Sequence, residues 1–120
     1  MSDPMSEEAD LFAAASPSAG VVVGLIKGEV DLNNSPTLRS GILLSLRKFQ
    51  PKKLILNMAK VPYVDSSAIA VLVEVLKELR RTGGKVLLAD LQPRVKGLLE
   101  IARLDSIFII VKDEQEALSL

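Results

Sequence analysis

The chemistry open to this chain is that of hydroxyls, carboxylates and the basic side chains of lysine and arginine, because its 120 residues include no cysteine and no histidine. Disulfides, thiolate or imidazole metal sites and nucleophile schemes that need those groups are excluded. What remains is concentrated in Val61-Pro-Tyr-Val-Asp-Ser-Ser-Ala-Ile-Ala70. Asp65 is a natural helix N-cap, since its carboxylate can accept from the amides of Ser67 or Ala68, two of the donors left unpaired where a helix begins. Ser66 then takes the first helical position. Its hydroxyl would lie at the surface beside free amides and the positive end of the helix dipole, a setting that accommodates a phosphate. Two readings stand at this point: a doubled capping signal, or a hydroxyl that is modified.

The elements that must position this junction can be read on either side of it. Lys53 to Ala59 is a short apolar run after a Pro-Lys break, the pattern of an interior strand. Downstream, Ile69, Leu72, Val73, Leu76 and Leu79 recur at helical spacing and define the expected core face, and Gly83-Gly84 terminates the helix. Ala68, Val71 and Val75 extend the apolar arc along one flank. That flank is either buried under a neighbouring helix or a partner surface adjoining Ser66.

Before this junction, residues 1–8 read as a flexible acidic tail and residues 9–120 as one domain. Leu11 to Ser16 is a weak strand, Ser16-Pro-Ser-Ala-Gly20 a turn, and Val21 to Val30 a strong strand, so the two strands form a hairpin. Asp31 at the strand end is either a local turn-former or a second carboxylate near the serine. A helix follows, with Ser35 as cap and Pro36 at its first position. After Gly84 come a strand over Lys85 to Asp90, a helix from Leu91, a strand over Ile107 to Val111 and a short helix from Asp113. Strands alternating with helices require crossovers, hence an α/β domain. Its expected form is a mixed sheet of four to five strands, mainly parallel with an N-terminal hairpin, flanked by four helices.

Charge is balanced, with 15 basic and 15 acidic side chains, so no global field draws nucleic acid or anionic membrane. The four aromatic residues are too few for a base-stacking platform. No secretory signal pattern is present and no apolar run reaches the length of a membrane span, so a cytoplasmic location is expected. Asp31, Asp65, Ser66 and Ser67 offer no evident general base, and no glycine-rich phosphate loop occurs. Neither catalysis nor a cofactor is expected.

Gly28-Glu-Val-Asp31, Val61-Pro-Tyr-Val-Asp-Ser-Ser-Ala68 and Val95-Lys-Gly-Leu-Leu-Glu-Ile-Ala-Arg-Leu-Asp-Ser-Ile-Phe-Ile-Ile110 resemble, in order and spacing, the bacterial anti-sigma-factor antagonists of the STAS family. The resemblance spans Val21 to Leu120 and implies a STAS-like single domain. It also implies that Ser66 is a phosphorylation site flanked by Asp31, Asp65, Ser67 and Ala68. The implied partners are an anti-sigma factor with serine kinase activity, bound by the unphosphorylated form so that a sigma factor is released, and a phosphatase that reverses the modification. The alternative implied by the same family is an unphosphorylated scaffold in a transport-associated complex. Two departures from the family pattern are Ala68, where Gly is usual, and Ala102-Arg103, where Thr-Gly is usual.

Overall fold

A computed structural model describes residues 11–120. The expected tail over residues 1–8 lies outside the described residues.

Two strands, β1 (Phe12–Ser18) and β2 (Val21–Lys27), pair as an antiparallel hairpin. The chain then alternates through α1 (Ser35–Phe49), β3 (Lys53–Lys60), α2 (Ser66–Arg81), β4 (Lys85–Ala89), α3 (Pro93–Ile101), β5 (Ile109–Val111) and α4 (Glu114–Ser119). The sheet order is β1-β2-β3-β4-β5, with every pair after the hairpin parallel. Spatial order therefore equals sequence order. Parallel crossovers are right-handed, so three that advance in one direction must all fall on one face of the sheet. Leu38 and Ile42 of α1, Leu72 and Val75 of α2, and Val95 and Leu99 of α3 accordingly share one core with Val22, Ile26, Leu54, Leu56, Val86 and Leu88. The alternate strand residues Ile55, Leu87, Ala89 and Val111 face the other way and are packed with Ala117 of α4.

Strand boundaries differ from expectation where pairing overrides composition. β1 continues through Pro17 instead of turning there, because it is an edge strand whose register is irregular between Ala15 and Ser18, where a proline is tolerated. Its anchor is Phe12, and the space for that ring is made by two glycines. A Cβ on Gly24 would stand 2.6 Å from Phe12 Cε1, and one on Gly41 3.0 Å from Phe12 Cδ2. β2 ends at Lys27, since Gly28 adopts φ 89, and Val30 rejoins only as a single bridge to Val64. β5 is confined to three residues.

Helix ends show similar adjustments. Asn34 is the N-cap residue of α1, and Ser35 is buried inside the helix rather than capping it. α2 terminates as expected: the amide of Gly83 donates to Arg80 O and that of Gly84 to Leu79 O at 2.7 Å, with Gly83 at φ 81. α3 ends in the same motif without a glycine. Arg103 donates to Glu100 O and Leu104 to Leu99 O, while Arg103 is held at φ 59. It occupies the position where the resemblance has Gly.

The roll of α2 corrects the expected core face. Ala68, Val71, Leu72, Val75, Leu76 and Leu79 are buried, whereas Ile69 and Val73 are half-buried. α2 is the middle of three helices, and α1 lies along the flank carrying Val71 and Val75, with Arg39 and Glu74 joined at 2.7 Å across the pair. Val71 and Val75 are therefore core residues and not a partner surface.

This packing sets two expectations for thermal melting. Leu72→Ala should lower stability by about 2–5 kcal/mol, and Val75→Asp, which forces an unpaired carboxylate under α1, should abolish a cooperative transition. A Val75→Asp protein that melts like wild type would contradict the placement of α1 over this flank. Arg103→Gly should raise stability by about 1 kcal/mol, the cost of holding a residue with a Cβ in the left-handed region. An unchanged or lower melting point would mean that Arg103 makes compensating contacts.

Candidate functional site

β2 and β3 are parallel neighbours, so the chain leaves both at the same edge of the sheet. Their pairing does not stop with the strands. Val30 donates its amide to Tyr63 O at 3.0 Å and Asp65 donates to Val30 O at 3.1 Å, which lays the β2–α1 turn alongside the β3–α2 junction. Asp65 is the N-cap of α2, in extended backbone. Its Oδ1 accepts from Ser67 N at 2.9 Å, Ala68 N at 3.1 Å and Ser67 Oγ at 2.6 Å, and its Oδ2 accepts from Leu32 N at 3.0 Å. The Ser67 hydroxyl, with the amides of Ala68, Ser67 and Leu32, stabilises the charged form and lowers the carboxyl below its usual range.

This arrangement separates the two serines. The Ser67 hydroxyl is engaged with Asp65, whereas Ser66 is exposed at the first position of the helix. Ala68 is 1% exposed, so its methyl group lies in the core rather than over Ser66. Asp31 shows the bonding of a turn-former: its Oδ1 accepts from Asn33 N at 2.9 Å, and its main-chain oxygen from Asn34 and Ser35. The connection from this turn to the serine junction runs through the amide of Leu32 and not through the Asp31 carboxylate.

Two neighbours were missed by sequence reasoning. Leu32 is 73% exposed on the turn that Asp65 holds. Its signal was an apolar residue set among Asp31, Asn33 and Asn34. Arg94, near the start of α3, places its guanidinium 4.7 Å from the centroid of the Tyr63 ring, while Gln92 donates to Ala59 O at 2.9 Å. Together they fasten α3 to the segment leading into Asp65.

The surroundings are those of a surface site. Sheets that reverse strand order place ligands in the crevice at the reversal, and this sheet has no reversal. A groove of about 600 Å³, lined by Arg39, Leu43, Leu46, Glu74 and Leu79 among others, lies between the later turns of α1 and α2, away from Ser66. Among the described residues, no three His, Cys, Asp or Glu side chains are grouped to hold a metal ion, and no helix is long and apolar enough to cross a membrane.

The sequence of residues 14–117 matches the STAS domain family throughout. The chain belongs to the STAS domain family. It is 27% identical over 100 residues to the anti-sigma F factor antagonist of Paenibacillus polymyxa, covering 83% of this chain and 86% of that protein. This STAS chain also superposes on the anti-sigma factor antagonist SpoIIAA in its unphosphorylated form with a TM-score of 0.71, at 19% identity over 90% of this chain and 94% of that one. SpoIIAA is known as well in a phosphorylated form, matched at a TM-score of 0.70 and 20% identity over 90% of this chain and 96% of that one. The murine anion transporter Slc26a9 contains the same fold, with a TM-score of 0.76 and 19% identity; the match covers 88% of this chain and 18% of the transporter. At these identities the structural matches show the fold alone.

The lowered pKa of Asp65 predicts an acid-sensitive junction. Its stabilising effect is fully present above the unfolded value of about 3.9 and is lost as pH falls through the lower folded value. Asp65→Asn should therefore melt below wild type near neutral pH, with the gap closing below about pH 4. A gap that stays constant from neutral to strongly acid pH would show that the charge of Asp65 contributes nothing.

Proposed function

We propose that this STAS domain is a phosphorylation-controlled anti-sigma-factor antagonist whose switch residue is Ser66. The unphosphorylated form binds an anti-sigma factor that is also a serine kinase, which frees a sigma factor. Phosphorylation of Ser66 ends that binding, and a phosphatase restores it. The observation that carries this reading is the contrast between the two serines. Ser66 presents its hydroxyl to solvent at the helix start, while Ser67 is engaged by Asp65. The curated likeness to an anti-sigma F factor antagonist over most of both chains supports the same role.

The physics of such a switch is local. A phosphoserine adds about −1.5 to −2 charges at neutral pH. A like-charge contact at about 4 Å costs roughly 4 kcal/mol at an effective dielectric of about 20, and about 1.4 kcal/mol already changes affinity tenfold. Asp65 places a carboxylate beside Ser66 in the chain, so an added phosphate enlarges an existing negative charge at the docking surface. The helix start meanwhile tolerates that charge, and the domain need not unfold to change partners.

A second reading, in which the domain is an unphosphorylated scaffold of a transport assembly, is favoured by the fold shared with Slc26a9. The two readings differ in one measurable respect, the fate of Ser66 in the presence of ATP and a cognate kinase.

Ser66→Ala should fold normally, bind the kinase partner and resist ATP-dependent release. Ser66→Glu should keep its melting temperature and lose affinity by about tenfold, the effect of about 1.4 kcal/mol of repulsion. Ser67→Ala should still be released by ATP. These expectations are checked by binding assays with and without ATP, together with intact-mass mapping of the phosphate. Release of Ser66→Ala by ATP, or resistance confined to Ser67→Ala, would overturn the assignment.

A further inference from the structure

The β2–α1 turn is braced more heavily than its exposure alone would require. Asp31 N donates to Asn34 Oδ1 at 2.9 Å, Asn33 N to Asp31 Oδ1 at 2.9 Å and Asn34 Nδ2 to Glu29 O at 2.9 Å. Leu32 N donates to Asp65 Oδ2 at 3.0 Å. At the tip of this framework stands Leu32, 73% exposed. Single exposed leucines are ordinary on protein surfaces, and exposure by itself assigns no role. Leu32 differs because its backbone is fixed by the carboxylate that caps the Ser66 helix. An apolar side chain on a preorganised backbone loses little freedom on docking, the property that makes an anchor residue effective.

Distance ties this residue to the switch. Through the hydrogen bond to Asp65, and with Ser66 the next residue in the chain, the Cα atoms of Leu32 and Ser66 can stand no more than roughly 12 Å apart. A stable protein contact covers about 800 Å² on each partner, a patch roughly 16 Å in radius. A protein whose contact of that size is centred on Ser66 therefore extends over Leu32. The other exposed aliphatic residues among those described, Leu44 on α1, Ile101 at the end of α3, Ile109 on β5, and Leu118 and Leu120 at the C-terminal end, have no such hydrogen bond to Asp65.

We propose that Leu32 is the apolar anchor by which the serine kinase that modifies Ser66 docks on this domain, and that the partner carries a complementary apolar pocket beside its phosphate-transferring centre. The inference rests on the reading of Ser66 as the switch residue. One carboxylate then serves both parts of the surface, capping the helix that presents the hydroxyl and holding the turn that presents the anchor. Phosphate is added beside the anchor, so charge and apolar contact are set against each other within one footprint.

The test uses the purified kinase that labels the wild-type protein at Ser66, with Leu32→Ala, Leu32→Met and Leu44→Ala compared against wild type. Leu32→Ala should melt like wild type, because the lost atoms are solvent-exposed. It should bind the kinase at least tenfold more weakly and raise the KM for Ser66 phosphorylation with kcat unchanged, the signature of lost docking rather than lost chemistry. Leu32→Met should restore most of the affinity, and Leu44→Ala should behave as wild type. Equal binding by Leu32→Ala and wild type would overturn the inference while leaving the Ser66 reading intact. Failure of any kinase to label wild type at Ser66 would overturn both. A concentration-dependent dimer of wild type that Leu32→Ala abolishes in sedimentation would assign the residue to a second copy of this chain and would also overturn it.

Discussion

One carboxylate organises the end of this domain that carries Ser66. Asp65 accepts from two amides and a hydroxyl at the start of α2 and from the amide of Leu32, 33 positions earlier. A neutral acceptor could cap the helix. The ionised group can satisfy all four donors at once, because its two oxygens have lone pairs in several directions. Besides this carboxylate, the two segments are joined by the Val30–Val64 bridge and by the amide of Gly28, which donates to Lys60 O at 2.8 Å.

The sheet explains why this end is a surface. Its crossovers progress in one direction and place three helices on one face, leaving α4 to pack on the other. No helix pair splays apart at a reversal of strand order to open a crevice over the strand ends. The end that carries Ser66 is instead a firm patch of turn and helix start. Lys53 reinforces the opposite end of β3, donating to Ala117 O at 3.0 Å and to Leu120 O, so α4 is fastened well away from Ser66.

Much of this was legible in the sequence where the determining forces are local. The capping role of Asp65 and the exposure of Ser66 follow from a carboxylate placed just before an apolar helix, and Gly83-Gly84 marks the helix end because the motif needs a left-handed residue. The hairpin and the alternation of strands and helices were readable for the same reason. The roll of α2 was not, since a wide apolar arc fits several rotations and only the position of α1 decides that Val71 and Val75 are inside. The bond between Leu32 and Asp65 was equally hidden, because it depends on how far two parallel strands continue to pair after their formal ends. Arg103 shows a third kind of limit: Schellman geometry overrides side-chain preference there, and nothing in Ala-Arg announces it.

The agreement of spatial with sequence order has a kinetic side. Each strand pairs only with its predecessor and successor along the chain, so no closure spans more than one helix and its turns. Closure entropy rises with the logarithm of loop length, so each crossover costs less than a closure spanning several elements would. Residues 12–81 already contain both loops joined by Asp65, the helix that carries Ser66 and the two strands that set them side by side. The Asp65–Ser66 junction is thus encoded upstream of β4 and β5, which contribute core and edge.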